Sequence, residues 1–222
     1  MIAELLPPLV ETAEAFRDTA PLPRLFPQEA ALVERAVAER RGEFATVRAC
    51  ARQALARLGH APAPILPGER GAPRWPDGVV GSMTHCRGYR AAALARAADL
   101  ATLGVDAEPN GPLPGDGVAE SVLRPAERAH VAQLAADRPD IHWDRLVFSA
   151  KESVYKAWFP LTRRWLDFEE AEVRIDPAAG TFRARLLVPG PEVDGIRLSG
   201  FDGRWLARAG LLVTAIAVPR LL

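Results

Sequence analysis

Apolar positions recur with helical spacing over residues 28–58, where Phe44, Val47, Leu55 and Leu58 fall on one face at spacings of 3, 8 and 3. Gly59 follows as a stop. A second helical pattern covers 125–136, with Pro125 in its first turn. A third covers 140–158 and predicts a helix ended by Phe159-Pro160. Strand patterns lie between. Val79 and Val80 begin one strand, which Gly81, Ser82, Thr84 and His85 end; 89–97, despite its alanines, and 101–107 follow closely. These three predict a small sheet with tight turns. Residues 171–176, 181–188 and 204–218 read as further strands, the last a hairpin broken near Gly210. Residues 1–30, broken by Pro7, Pro8, Pro21, Pro23 and Pro27, predict one short helix or strand and then a loop. The stretch 109–117 (PNGPLPGDG) is the clearest break, so the expected lobes are 1–110 and 111–222. Each reads as helix first and then about three strands. That order favours an α+β fold of two similar lobes over a doubly wound sheet.

Composition narrows the class. The chain has 222 residues, 49% apolar and 25% charged, with a formal net charge of +0. No global field draws in nucleic acid or a membrane, so an anion site has to be a local cluster. No stretch approaches the length of a membrane span, and the first residues lack the basic segment of a signal peptide. Cys50 and Cys86 match no metal spacing or disulfide framework. A cytoplasmic setting is expected. GxxxxGKS and GxGxxG are both missing, so neither a P-loop nor a Rossmann enzyme is supported.

Only two of the 28 basic residues are lysine, Lys151 and Lys156. A chain this rich in arginine keeps lysine where a compact ammonium is needed and a planar fork will not fit. Glu152 and Lys156, four apart, share a helix face, as a site pair or as a surface pair worth about 0.2–0.5 kcal/mol. Lys151 points to another face and is a candidate for the phosphate or the acceptor. Asp106 and Glu108 are two apart on a strand, so their carboxylates converge, either on a hard divalent cation or at a strand end in solvent. Gly104 permits close approach of another segment. Arg41, Arg48 and Arg52 form a stripe with Arg40 at its edge, which is either a solvated face or a phosphate grip. The long loop 60–78 is of a kind often functional. His85 sits among hydroxyls and turn glycines; His60, His130 and His142 read as surface. Ser149 has no evident His or Asp to activate it, so a serine hydrolase is disfavoured.

Three ordered blocks, Gly81-Ser82-x-Thr84-His85, Leu103-Gly104-Val105-Asp106-Ala107-Glu108 and Phe148-Ser149-Ala150-Lys151-Glu152-Ser153-x-x-Lys156, resemble the 4'-phosphopantetheinyl transferases of the surfactin and enterobactin class, and the segments LFPQEA, FATVRACA and PAPILPGERGAPRWPDG look nearest to actinobacterial members. Of the three blocks, the last is the most specific. The resemblance implies pseudo-twofold lobes with coenzyme A in the cleft between them. It implies Mg2+ held by Asp106, Glu108 and Glu152, with the Ala107 carbonyl joining. Lys156 is expected on the diphosphate, Ser82, Thr84 and His85 near phosphate groups, and Arg40 and Arg48 near the 3'-phosphate. The loop Pro67-Gly68-Glu69-Arg70 is expected against the adenine; related enzymes often carry lysine where Pro67 stands, with Arg70 as a substitute. Apo acyl or peptidyl carrier proteins of fatty-acid, polyketide, siderophore or other peptide pathways are the expected partners of a cytoplasmic monomer, with no nucleic acid and no membrane. Two rivals use the same residues: a Mg2+-dependent hydrolase of coenzyme A or a nucleotide diphosphate, and a non-catalytic coenzyme A adaptor.

Overall fold

The computed structural model describes residues 1–115 and 117–220. The fold is α+β. Among the described residues, the first sheet holds β1 (Glu11–Ala15), β3 (Tyr89–Arg96) and β2 (Val79–Cys86) in that order, all antiparallel. The second runs β4 (Leu100–Pro109), β10 (Leu211–Pro219), β9 (Gly200–Arg208), β6 (Thr181–Leu186), β5 (Ala171–Asp176). A two-stranded ribbon joins β7 (Glu192–Val193) to β8 (Ile196–Arg197). The helices are α1 (Pro27–Leu32), α2 (Ala38–Arg57), α3 (Val118–Val122), α4 (Pro125–Asp137) and α5 (Trp143–Thr162).

The small sheet expected from 79–107 does not form as a unit. β4 turns away from β3 and pairs with β10 along nearly its whole length, Leu211 opposite Pro109 through Val218 opposite Thr102. Where β2 and β4 run side by side, side chains replace a backbone ladder. The Val105 N–H donates to Ser82 Oγ (3.1 Å) and the Ala107 N–H to Thr84 Oγ1 (3.0 Å). The hydroxyls that looked like a strand ending therefore lie within β2, which continues to Cys86.

Helix α2 packs on β1 and β3, and α5 on β4 and β10. Alanine-rich β3 is a strand because both its faces are covered. Ala92 and Leu94 meet α2, while Ala91, Ala93 and Ala95 meet a central core with Leu103, Val105 and Val213. Small side chains let three layers approach. The expected hairpin at Gly210 is present as β9–β10.

The helices differ from the periodicity at a break within 28–58 and at both ends of α5, which begins at Trp143. The pattern over 28–58 is broken at 33–37, and the break lets Glu29 of α1 turn back onto Arg52 of α2. Helix α5 continues through Pro160 to Thr162. Its end is closed by the Arg163 N–H on Phe159 O (2.8 Å) and by Thr162 Oγ1 on Trp158 O (3.1 Å).

Candidate active site

The site is built where β4 runs antiparallel along α5. On the strand face turned to the helix, Thr102 Oγ1 donates to Ala157 O (2.9 Å). Gly104 lies against Ser153, where an added Cβ would stand 2.0 Å from the Ser153 carbonyl oxygen. Asp106 Oδ2 accepts from Ser149 Oγ (2.8 Å), and Glu108 Oε2 accepts from Arg145 (2.9 Å). Two residues of strand span about 6.6 Å and four residues of helix about 6 Å. Strand positions 102, 104, 106 and 108 thus keep step with helix positions 157, 153, 149 and 145. The close approach predicted at Gly104 is what brings the rows into register.

Asp106 is only 5% exposed, yet its carboxylate is met by several polar donors. Lys156 Nζ donates to its Oδ1 (2.7 Å) and to Val105 O (3.1 Å). Thr84 Oγ1 donates to the same oxygen (3.2 Å). Behind Ser149, buried Thr214 of β10 lies 3.0 Å from Ser149 Oγ and 2.7 Å from Ser153 Oγ. This chain of hydroxyls fixes the carboxylate from the core side. Ser149 has an aspartate after all, but as a fully buried support of Asp106.

Glu152 and Lys156 face a cleft of about 1270 Å³, which Arg40, Arg48, Pro67, Gly68, Glu69, Arg70, Ser82 and His85 also line. Thr84, Asp106, Ala107 and Glu108 do not line it. Loop 67–74 folds back on itself, with the Gly68 N–H on Ala72 O (2.6 Å) and the Arg74 N–H on Leu66 O (2.9 Å). The arginine stripe divides. Arg40 and Arg48 reach the cleft, Arg52 is paired to Glu29, and Arg41 caps Ala36 O on the surface. Burial lowers the Arg48 guanidinium to about 10, against the pull of Glu29. Its Nε–H donates to Ile65 O (3.1 Å) while its plane stacks 3.2 Å from the centre of the Phe44 ring. The Arg40 guanidinium donates to His85 Nε2, and burial, followed by Arg40, holds that imidazole below its ordinary range. Of the remaining histidines, half-buried His130 packs its Nε2 3.0 Å from Ile175 O at the edge of β5.

Lys151 departs from expectation. It is buried away from the cleft and donates to Val122 O (2.8 Å), Glu127 Oε2 (2.7 Å) and Phe168 O (2.7 Å). Three acceptors around one nitrogen explain why lysine stands there, but the task is holding α3, α4 and the turn that leads into β5 together. The cleft wall formed by Trp75, Tyr155 and Phe159 carried no signal in the sequence. Neither did Arg145.

The donor set suits a hard divalent cation. Burial pushes the Glu108 carboxyl above the ordinary glutamate range, and Asp106 adds to this against Arg145 and Lys156. Burial raises Glu152 as well, with Lys156 opposing and Asp106 reinforcing. Asp106 therefore repels both glutamates, with Lys156 opposing at each and Arg145 at Glu108. Among the described residues no three His, Cys, Asp or Glu side chains already converge at metal-binding distance, since Asp106 is turned to Lys156 and Glu108 to Arg145.

Residues 28–95 match the model of the 4'-phosphopantetheinyl transferase N-terminal domain, and residues 102–194 that of the 4'-phosphopantetheinyl transferase superfamily. The chain belongs to this family. It is 67% identical over 220 residues to the 4'-phosphopantetheinyl transferase Svp of Streptomyces mobaraensis, covering 98% of this chain and 89% of that one. It is 49% identical to Npt of Nocardia iowensis (98% and 99% covered) and 46% identical to PptT of Mycobacterium tuberculosis (98% of each), both 4'-phosphopantetheinyl transferases. The actinobacterial likeness read from the sequence is borne out. Among the described residues of this transferase no helix is long and apolar enough to cross a membrane.

Proposed function

We propose that this transferase moves 4'-phosphopantetheine from coenzyme A to a serine of an apo acyl or peptidyl carrier protein, releasing 3',5'-ADP. The observation that carries the reading is the Lys156–Asp106 pair set beside Glu152 on a cleft that Arg40, Arg48 and His85 also line. The lining of that cleft combines arginines and a histidine with an acid, an ammonium and a hydroxyl. A ligand with a terminal phosphate and an internal diphosphate matches this lining. Arg40, Arg48 and His85 take the 3'-phosphate, the 67–70 loop takes the adenine, and Lys156, with Ser82 nearby, takes the diphosphate. Thr84 serves through Asp106. Arg70, whose guanidinium lies 5.3 Å from the centre of the Trp165 ring, replaces the family lysine missing at Pro67.

Asp106, Glu108, Glu152 and the Ala107 carbonyl would hold Mg2+, which when bound neutralises charge on the diphosphate. The chain's own groups do the rest. The carrier serine oxygen forms a bond to the β-phosphorus, and the bond from that phosphorus to the oxygen of the departing 3',5'-ADP breaks. Glu152 takes the serine proton, a role its raised proton affinity suits. Lys156 offsets charge on the departing phosphate. Positioning and charge compensation carry most phosphoryl transfers of this kind.

The lobes 1–110 and 111–222 supply nucleotide contacts and the catalytic helix with the carrier-facing surface, respectively. Their pseudo-twofold relation, a monomeric state and a cytoplasmic location are part of the same reading. The test is intact-mass spectrometry of an apo-carrier protein incubated with coenzyme A and Mg2+. The carrier should gain one 4'-phosphopantetheine, and 3',5'-ADP should appear only when carrier is present. Release of 3',5'-ADP without carrier would point to a hydrolase. An unmodified carrier with no 3',5'-ADP would leave only a binding protein.

A further inference from the structure

Arg145 is the last rung of the β4–α5 ladder and has no part in the reading above. Its side chain is 15% exposed. One guanidinium donates to Glu108 Oε2 (2.9 Å), to Gly111 O (3.3 Å) and to Pro112 O. It therefore joins a carboxylate of the site to the segment that leaves β4. The same segment is tied to the start of α5 by Asn110, whose Nδ2 donates to Asp140 O and whose Oδ1 accepts the His142 N–H, each at 2.9 Å. The Leu113 N–H points to Asp144 Oδ2 at 3.4 Å. Arg145 is the link of this cluster that ends on a site acid.

We propose that Arg145 is a positioning residue that competes with the divalent cation for Glu108 and relays the cation's arrival to residues 110–113. The inference rests on the reading that the cation sits among Asp106, Glu108 and Glu152. A guanidinium bound to Glu108 occupies a carboxylate oxygen and places like charge beside the incoming ion. When Glu108 turns to the cation, Arg145 loses that charged acceptor and, among the described residues, keeps two backbone carbonyls. Residues 111–113 are then held less firmly. Arg145 thus sets how tightly the cation binds, and segment 110–113 reports whether it has bound.

The experiment is calorimetric titration of Mg2+ into the full chain saturated with coenzyme A. Alongside it, hydrogen exchange is followed over 110–115 with and without Mg2+. Arg145→Gln removes the charge and keeps an amide N–H where the Nε–H faces Gly111 O. It should bind Mg2+ about three- to tenfold more tightly than wild type, as loss of one nearby like charge implies. Arg145→Lys keeps the charge and should stay close to the wild-type affinity. Mg2+ should speed exchange over 110–115 in wild type and change it little in Arg145→Gln. Equal or weaker Mg2+ binding by Arg145→Gln overturns the proposal and leaves the assigned reaction standing. So does tightening of the same size in Arg145→Lys, or wild-type exchange that ignores bound Mg2+. Wild-type protein that takes up no Mg2+ overturns the proposal and the cation assignment together.

Discussion

Helices α2 and α5 are each 20 residues long, and each is fastened by a buried glutamate from a short helix before it. In both short helices proline comes first and the glutamate third, where it accepts the N–H of its own N-cap: Glu29 from Phe26 (2.9 Å) and Glu127 from Arg124 (2.7 Å). Each glutamate also accepts a backbone N–H from further along the chain, Glu29 from Ile65 and Glu127 from Val173. Each takes its countercharge from the long helix, Arg52 in one case and Lys151 in the other. The difference lies in that cation. Arg52 bridges both oxygens of Glu29 and still reaches Arg24 O, with Arg48 a further 3.6 Å neighbour of the same acid. Lys151 is enclosed, and burial pulls its ammonium below the ordinary lysine range despite Glu127. The first latch borders the cleft and shares Arg48 with it. The second has its back to the cleft, which leaves α5 free to present Glu152 and Lys156 on another face.

If α5 divides its work in this way, the largest effects belong to its cleft face. Glu152→Gln and Asp106→Ala should each lower transfer by at least about 10²–10⁴-fold, with circular dichroism unchanged. Retained turnover in either would remove them from the reaction. Lys156→Arg should keep the fold and lose most activity, because a planar fork cannot reach both Val105 O and Asp106 Oδ1 as the ammonium does. The opposite face should show in stability. Lys151→Met should cost about 3–5 kcal/mol in urea unfolding, since it strands a buried charge. Arg52→Met should cost less, about 1–3 kcal/mol, because Arg48 remains 3.6 Å from Glu29 as a second cation. Equal losses would erase the distinction between the latches.

The smallest expected effect has a definite sign. Glu152 has a raised proton affinity in the fold, so the native state holds its proton to higher pH than the unfolded chain does. Its contribution to stability is present below the ordinary glutamate range and is lost as pH rises through the folded value. Without divalent cation, Glu152→Gln should therefore melt above wild type at pH 8 and close to it at pH 4. A lower melting temperature at pH 8 would contradict the assigned environment.

The sequence showed the site more fully than the packing behind it. Asp106 with Glu108 follows from strand alternation, Glu152 with Lys156 from helix spacing, and the close approach at Gly104 from its missing Cβ. The lysine argument held for Lys156 and gave Lys151 the wrong task. Scarcity marks a position that needs an ammonium and does not say which polar groups surround it. Thr214 and the β4–β10 pairing stayed hidden because more than a hundred residues separate the strands. Arg145 stayed hidden because one arginine among 28 basic residues carries no signal until its acceptors are known.

The central claim is that Asp106, Glu108 and Glu152 hold a divalent cation against the diphosphate of coenzyme A. Anomalous diffraction from crystals soaked with Mn2+ and coenzyme A tests it most directly. The account predicts one strong peak among those three carboxylates, with the diphosphate beside it and within reach of Lys156. A peak elsewhere, or coenzyme A bound with its diphosphate remote from Asp106, would contradict it.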